Sequence, residues 1–153
     1  MREDFDMAVT RSATATWQGN LAEGSGTVSS ATSDFWSDVP TSWGSRTEEP
    51  GGKTGPEELL AAAHASCFSM AFSNELAKAG FVADRVEVRA DVSAEKREQG
   101  WTVASSHLTV RGWVPDIDEE TFQAMAAKAK DGCPISRALK GNVELSVDAT
   151  RES

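Results

Sequence analysis

Cysteine is scarce in this sequence, with only Cys67 and Cys133 among 153 residues. A domain of this length buries roughly two-thirds of the surface of its unfolded chain, so it has an adequate core without cross-links. Disulfide-dense scaffolds are typical of small secreted domains that cannot build such a core. The scarcity therefore excludes a disulfide scaffold and leaves the two cysteines to be explained in another way.

Long apolar runs are also missing. Residues 1–17 contain no apolar segment of the kind that a signal peptide requires, and no window approaches the length of a membrane span. We therefore predict a cytoplasmic protein with no membrane partner. Thiols in that compartment are normally reduced, and a disulfide there is more often catalytic than structural.

Clusters of basic residues are absent as well. The chain carries 15 Lys and Arg against 24 Asp and Glu, a formal net charge of −9. Nucleic acid and anionic membranes both attract surfaces rich in Lys and Arg. The charge balance therefore predicts that neither is a partner.

The pattern of apolar residues predicts both strands and helices. Alternation predicts strands over 8–17, 26–30, 82–96, 102–114 and 142–150. Helical spacing predicts a long helix that begins at Pro56 and stops at Gly80, a second over 116–130 that Asp118 caps and Gly132 stops, and a short third after Pro134. Residues 33–55 are predicted to form a long loop. The order β-β-α-β-β-α-α-β predicts a single α+β domain over residues 1–153.

The long helix is apolar on nearly every side. From Leu59 to Phe72 only His64, Ser66 and Ser69 interrupt the apolar residues. A helix of that composition is buried, because it has no wide polar face to turn toward water. We expect the sheet to wrap it or a second subunit to cover it, which predicts an oligomer.

Each cysteine lies in an ordered segment. Cys67 follows His64 by three residues, so the two side chains share a face of the long helix. Cys133 directly precedes Pro134, at the positive end of the short helix, where a thiolate is stabilised. On these grounds either thiol could be the reactive one.

Several interpretations of the pair remain open at this point. Two unrelated cysteines could simply be buried in the core, or they could form a permanent disulfide. A zinc site would combine them with His64 and His107, although structural zinc ligands usually come in close pairs on turns. A redox pair would pass through a sulfenic acid and a disulfide. A cysteine hydrolase using Cys67 and His64 would lack an evident orienting acid.

Two segments resemble the signature cysteine motifs of the OsmC/Ohr family of peroxide-reducing proteins, and the OsmC branch in particular. They are PEELLAAAHASCFSMAFS and KAKDGCPISRALK. The resemblance implies curved antiparallel sheets around a long buried central helix, in an intertwined homodimer with active sites at the interface. It also implies reduction of organic hydroperoxides, and more weakly of hydrogen peroxide, in oxidative and osmotic stress defence. Neither metal, haem nor flavin is implied, and the implied reductant is an external dithiol, plausibly a lipoyl-type protein thiol.

The resemblance also assigns roles to four residues. Cys67 matches the peroxidatic cysteine and Cys133 the resolving cysteine, while Arg46 matches an arginine that contacts the thiolate and Glu57 a glutamate that pairs with this arginine. An adjacent guanidinium favours a thiolate, and a carboxylate can fix the planar guanidinium. Glu57 lies ten residues from Cys67, about 15 Å along a straight helix, so it acts only through the arginine. Arg11 is the second candidate for the cation.

The surroundings of Cys67 carry two further predictions. A mostly apolar environment is expected to favour organic hydroperoxides, and it would consist of Leu59, Leu60, Phe68, Met70 and Phe72. His64 is predicted to be a polar residue satisfied inside the core, or an interface contact, rather than a base for Cys67.

Overall fold

A computed structural model describes residues 7–153. The elements are β1 (Ala13–Gln18), β2 (Ser25–Ser30), β3 (Val39–Thr41), α1 (Trp43–Thr47), α2 (Pro56–Lys78), β4 (Arg85–Arg97), β5 (Gly100–Trp113), α3 (Glu119–Gly132), α4 (Pro134–Leu139) and β6 (Glu144–Glu152). The chain divides into two compact units, one ending at Pro56 and one beginning at Glu57. Within residues 7–153, no helix is both long enough and apolar enough to cross a bilayer.

The first unit contains an antiparallel sheet with the strand order β1-β2-β3. The predicted hairpin is confirmed, although β1 begins at Ala13 rather than at residue 8. Gly19, in the turn between β1 and β2, has a φ of 90°, which glycine adopts without steric cost.

The prediction of an unbroken loop over residues 33–55 is wrong, because β3 and α1 lie within it. A reciprocal pair of serines starts α1. The Oγ of Ser42 accepts a hydrogen bond from the Ser45 backbone N–H at 2.9 Å, and the Oγ of Ser45 accepts one from the Ser42 N–H at 3.0 Å. This is a capping box with serine in place of the usual Glu or Gln, so its sequence signal is weak.

The second unit is organised by α2, whose predicted start at Pro56 and end before Gly80 are both confirmed. Gly80 has a φ of 91°, which is the left-handed backbone conformation that commonly follows the end of an α-helix. From His64 onward every fourth residue of α2 is buried: His64, Phe68, Phe72 and Leu76. Other positions of α2 are half-buried or exposed, so in the single chain the predicted burial is confirmed on one face only.

The sheet of the second unit has the order β4-β5-β6 and is mixed. β4 and β5 are antiparallel, whereas β5 and β6 are parallel. The sequence-based expectation of antiparallel sheets is therefore wrong for β6. A parallel pair needs a long crossover connection, and the two helices α3 and α4 between β5 and β6 supply it.

The core of the second unit joins the helices to this sheet. Phe68 and Phe72 of α2 pack with Leu108 of β5 and Phe122 of α3, and none of the four has exposed surface. The rings of Phe72 and Phe122 meet edge to face, with centroids 5.2 Å apart. Burial of these side chains fixes α2 and α3 against the sheet.

The junction between α3 and α4 places the second cysteine. Asp118 caps α3 as predicted, accepting a hydrogen bond from the Thr121 N–H at 2.6 Å. The prediction that Gly132 stops α3 in a left-handed conformation is wrong, since Gly132 is the last helical residue and its φ is not positive. The chain turns at Cys133 (φ −60°, ψ 124°), because Pro134 disfavours a helical conformation in the residue before it. Cys133 is thus the residue that caps α4, as predicted.

Candidate active site

The two cysteines meet in the second unit. Cys67 comes from the middle of α2 and Cys133 from the start of α4; both are free thiols, and Cys133 is near enough to Cys67 to act on its ionisation. Cys67 is partly exposed, whereas Cys133 has no exposed surface. Proximity of two free thiols is the first requirement for a disulfide between them.

The surroundings of Cys67 act on its ionisation in opposite directions. Burial raises the pKa of the Cys67 thiol, the backbone N–H of Ile135 lowers it, and the neighbouring Cys133 raises it again. The net pKa is above the ordinary value of a cysteine. Within the second unit, therefore, the neutral thiol is favoured, and a cation would be needed to produce the reactive thiolate at neutral pH.

Cys67 borders a cavity of about 450 Å³. The cavity has an apolar wall beside the thiol and a polar side toward the end of α2, where Lys78 and Glu75 form an ion pair at 3.3 Å. Its lining residues are Cys67, Met70, Ala71, Asn74, Glu75, Lys78, Ala129, Gly132 and Pro134. The arrangement leaves a small molecule access to Cys67 but not to the buried Cys133.

The predicted apolar environment is only partly the observed one. Met70 is 69% exposed and lines the cavity as expected. Phe68 and Phe72 do not line it, because both are completely buried in the core. Leu59 and Leu60 are half-buried and are not among its lining residues. The helical period explains the error, since it places Phe68 and Phe72 on the core face and Met70 on another.

His64 is completely buried and both of its ring nitrogens are occupied. Nδ1 lies 2.7 Å from the Oγ of Ser106 on β5, and Nε2 lies 2.8 Å from the Oγ of Ser136 on α4. Burial lowers the pKa of His64. The prediction of a satisfied core residue is confirmed, and the hydrolase interpretation loses its base because neither nitrogen faces Cys67.

The structure does not assemble the four side chains of the zinc interpretation. His107 lies on β5, where its Nδ1 is 2.6 Å from the Oγ of Ser146 and its Nε2 is 3.2 Å from Asp148. Among residues 7–153, no three His, Cys, Asp or Glu side chains are grouped so that they could hold a metal ion.

Arg46 and Glu57 belong to different units, and their predicted roles stay predictions. Arg46 lies in the last turn of α1, with its guanidinium 5.8 Å from the centre of the Trp43 ring. Glu57 is a half-buried residue in the first turn of α2. Arg11 is exposed, and its Nη1 donates to the carbonyl of Thr10 at 2.9 Å.

Three polar groups of the site were not found from the sequence: the Ser106 and Ser136 hydroxyls and the Ile135 N–H. Ser136 follows the cap residue Cys133 by three positions, but it lies 72 residues from His64 and its spacing does not connect it with that ring. Ser106 lies 42 residues from His64, and no local pattern connects the two.

The α+β fold thus carries a partly exposed thiol beside a cavity and a buried second thiol near it. The chain belongs to the OsmC family, because the family model described as OsmC-like protein matches residues 49–148. This confirms the family and the α+β fold class that the sequence motifs predicted.

Individual relatives agree with the family. The chain is 40% identical to the peroxiredoxin OsmC of Escherichia coli K12 over 139 residues, which is 91% of this chain and 96% of that protein. It is 34% identical to the organic hydroperoxide resistance protein OhrA of Bacillus subtilis over 97 residues, 62% of this chain and 66% of that one. The crystal structure of the organic hydroperoxide resistance protein OhrB of Bacillus subtilis superposes with a TM-score of 0.70 at 29% identity, covering 91% of this chain and 98% of that chain.

Proposed function

We propose that this protein is a thiol-dependent peroxidase that reduces organic hydroperoxides, and more weakly hydrogen peroxide, in defence against oxidative and osmotic stress. The names of its relatives, peroxiredoxin and organic hydroperoxide resistance protein, support this activity. The observation that carries the proposal is the proximity of the Cys67 and Cys133 thiols. Of these two, Cys67 borders the cavity and Cys133 does not. The chemistry is that of cysteine and needs no prosthetic group.

Exposure supports Cys67 as the first thiol to react. The Cys67 thiolate attacks the terminal oxygen of the hydroperoxide, an S–O bond forms, and the O–O bond breaks. Sulfur is oxidised by two electrons to a sulfenic acid, and the peroxide is reduced to an alkoxide that takes up a proton and leaves as an alcohol. Cys133 has no exposed surface, so a substrate does not reach it first.

Cys133 then resolves the sulfenic acid. Its sulfur attacks the Cys67 sulfur, an S–S bond forms, and the S–O bond breaks; hydroxide leaves and combines with the thiol proton as water. An external dithiol restores both thiols by exchange and is itself oxidised to a disulfide. We propose a lipoyl-type protein thiol as this reductant and the cytoplasm as the compartment, since thiol pools there are kept reduced.

Arg46 is proposed as the cation that makes Cys67 reactive, and Glu57 as the carboxylate that orients Arg46. The need for a cation follows from the ionisation of Cys67, whose pKa burial raises. A guanidinium at the thiol opposes that effect and also stabilises the alkoxide as the O–O bond breaks. The assignment to Arg46 and Glu57 rests on the family motif.

The cavity supports a preference for organic hydroperoxides over hydrogen peroxide as substrates. Its apolar wall, formed by Met70, Ala71, Ala129 and Pro134, can cover the hydrocarbon part of a substrate. Burial of each methylene is favourable by about 0.8 kcal/mol, a contribution that hydrogen peroxide cannot make.

We further propose that the whole chain acts as one domain within a homodimer whose active sites lie at the subunit interface. Ala63 and Met70 flank Cys67 at positions i−4 and i+3 of α2, and both are exposed in the single chain. An exposed apolar strip beside a reactive thiol favours coverage by a second copy.

Titration of free thiols tests the proposed activity. After one equivalent of cumene hydroperoxide, wild type is expected to lose both thiols rapidly. Cys133→Ser is expected to lose its remaining thiol and to stop at a sulfenic acid that dimedone traps. The matched variant Cys67→Ser is expected to keep its thiol. Survival of the wild-type thiols, or oxidation of Cys67→Ser at the wild-type rate, would contradict the proposal.

A further inference from the structure

His64 connects three elements at the candidate site. It comes from α2, its Nδ1 is 2.7 Å from Ser106 Oγ on β5, and its Nε2 is 2.8 Å from Ser136 Oγ on α4. All three side chains are buried, with exposed fractions of 0%, 0% and 1%. The peroxidase chemistry proposed above uses none of them, so the role of this buried polar chain is unassigned.

The chemistry of imidazole makes both contacts necessary. Burial lowers the pKa of His64, so the ring is neutral at neutral pH. A neutral imidazole donates from one nitrogen and accepts at the other, and the two serine hydroxyls can serve in either tautomer. Displacement of α4 would leave Nε2 unpaired in the core, which is unfavourable. The hydrogen bond to Ser136 therefore opposes displacement of α4.

The first turn of α4 is attached to α2 at two points. The Ile135 N–H is near enough to the Cys67 sulfur to lower its pKa, and the next residue, Ser136, is hydrogen-bonded to His64. His64 and Cys67 are three residues apart, neighbours on α2. Cys133 caps this same turn of α4, so whatever fixes the turn also fixes the position of the second thiol relative to the first.

We propose that His64 and Ser136 are positioning residues that hold the first turn of α4 against α2, so that Cys133 closes quickly on a sulfenic acid at Cys67. The proposal rests on the proposed peroxidase function. Neither residue touches substrate or a reacting atom; both act through the placement of Cys133 and of the Ile135 N–H. Ser106 orients the imidazole from the sheet, and its side-chain hydrogen bond goes to α2 and not to α4.

Fast formation of the disulfide between Cys67 and Cys133, here called closure, protects the enzyme from its own substrate. A sulfenic acid that waits for its partner thiol can react with a second hydroperoxide, whose O–O bond breaks as the sulfur is oxidised by two further electrons to a sulfinic acid. Loosening of α4 is therefore expected to raise the fraction of Cys67 lost to sulfinic acid at high peroxide concentration.

A matched pair of serine variants tests the proposal. Ser136→Ala and Ser106→Ala each leave one nitrogen of the same buried imidazole unpaired, but only the first releases α4. In single-turnover experiments with cumene hydroperoxide, dimedone trapping follows the sulfenic acid and thiol titration follows closure. We expect Ser136→Ala to form the sulfenic acid at nearly the wild-type rate and to close about ten- to a hundredfold more slowly. Ser106→Ala is expected to close much faster than Ser136→Ala, and Ser136→Thr, which keeps the hydroxyl, is expected to recover closure.

The readouts separate this proposal from the peroxidase activity. Wild-type protein that keeps both thiols after treatment with peroxide overturns the proposed function, whatever the serine variants do. Two outcomes overturn the positioning role alone, provided that the wild type forms the disulfide. In the first, Ser136→Ala forms the disulfide at the wild-type rate. In the second, Ser136→Ala and Ser106→Ala are slowed equally. His64→Gln is a second variant in case Ser136→Ala does not fold, because one neutral amide cannot reproduce the two opposed nitrogens of the ring; slow closure is expected, and wild-type closure would contradict the proposal.

Discussion

At the scale of single residues, the chemistry depends on the ionisation of Cys67. Burial raises the pKa of its thiol, and the contact with Cys133 acts in the same direction. The Ile135 N–H lowers the pKa but does not outweigh the other effects. Because a thiol held in its neutral form reacts slowly with peroxide, we propose that a cation also acts on Cys67.

Removal of the proposed cation, Arg46, is expected to shift the pH dependence of the rate at which Cys67 is alkylated. In Arg46→Ala the effect of burial is no longer opposed by a guanidinium, so the pKa of Cys67 rises and thiolate forms only at higher pH. We expect the midpoint of the rate of Cys67 alkylation against pH to move up by about 1–3 pH units relative to wild type. Arg46→Lys, which keeps the charge, is expected to move it less. The measurement uses a Cys133→Ser background, so that Cys67 is the only thiol.

Arg11→Ala is the matched control for that shift. Arg11 is the second candidate for the cation, and its guanidinium contacts the carbonyl of Thr10. We expect an unchanged profile for Arg11→Ala. A shift in Arg11→Ala with none in Arg46→Ala would reassign the cation to Arg11.

Residues of the site that lie close together in the sequence could be predicted, whereas contacts between residues far apart in the sequence could not. The two cysteines lie in motifs of consecutive residues, and the burial of His64 follows from its place on an apolar helix. The serines that hold its ring could not be predicted, because β5 and α4 meet α2 only in the folded chain. Arg46 and Glu57 were identified by family motif alone.

At the scale of elements, the packing of β5 against α3 requires a glycine. A Cβ at Gly112 would lie 2.7 Å and 2.8 Å from two ring carbons of Phe122. These carbons belong to a fully buried ring that also packs edge to face with Phe72. The strand can therefore approach α3 only where it carries no side chain.

Gly112→Ala is therefore expected to destabilise the protein by about 1–3 kcal/mol, because the added methyl overpacks the core beneath Phe122. Gly132→Ala is the matched control: a methyl group added there would meet no other atom within 4 Å, and the φ of Gly132 is not positive. Urea denaturation should show a lower midpoint for Gly112→Ala and little change for Gly132→Ala. Equal midpoints for the two variants would contradict this account of the packing.

A helix or strand could be predicted from the sequence where residues that start, cap or stop it are present. The start and end of α2 and the cap of α3 carry strong signals in Pro56, Gly80 and Asp118, and all three predictions are confirmed. α1 and β3 have five and three residues, too short for a period to be recognised. The direction of β6 was missed because its own alternation is the same in a parallel and an antiparallel pair.

At the scale of the whole molecule, α2 has more apolar surface than one chain covers. Its core face is buried, but Met70 remains 69% exposed and Ala63 is exposed as well. Both lie beside Cys67 on the helix. This distribution is the physical reason for proposing a homodimer with the active sites at the interface.

Light scattering tests the dimer. We expect a mass of about twice the 16.3 kDa of the chain. Ala63→Glu is expected to weaken association, because an unpaired carboxylate in a buried interface is unfavourable. Ala127→Glu, a matched change at an exposed position of α3, is expected to leave the mass unchanged. A wild-type mass of one chain at micromolar concentration would contradict the dimer.

The central claim is that Cys67 and Cys133 form one redox pair within a chain, and non-reducing peptide mapping tests it most directly. Protein treated with one equivalent of cumene hydroperoxide is alkylated, digested and analysed by mass spectrometry. The account predicts a single cross-linked species that joins the Cys67 peptide to the Cys133 peptide, from protein that keeps the mass of one chain under denaturing, non-reducing conditions, and its disappearance after treatment with dihydrolipoamide. Recovery of both peptides as alkylated thiols, or a disulfide between chains, would contradict it.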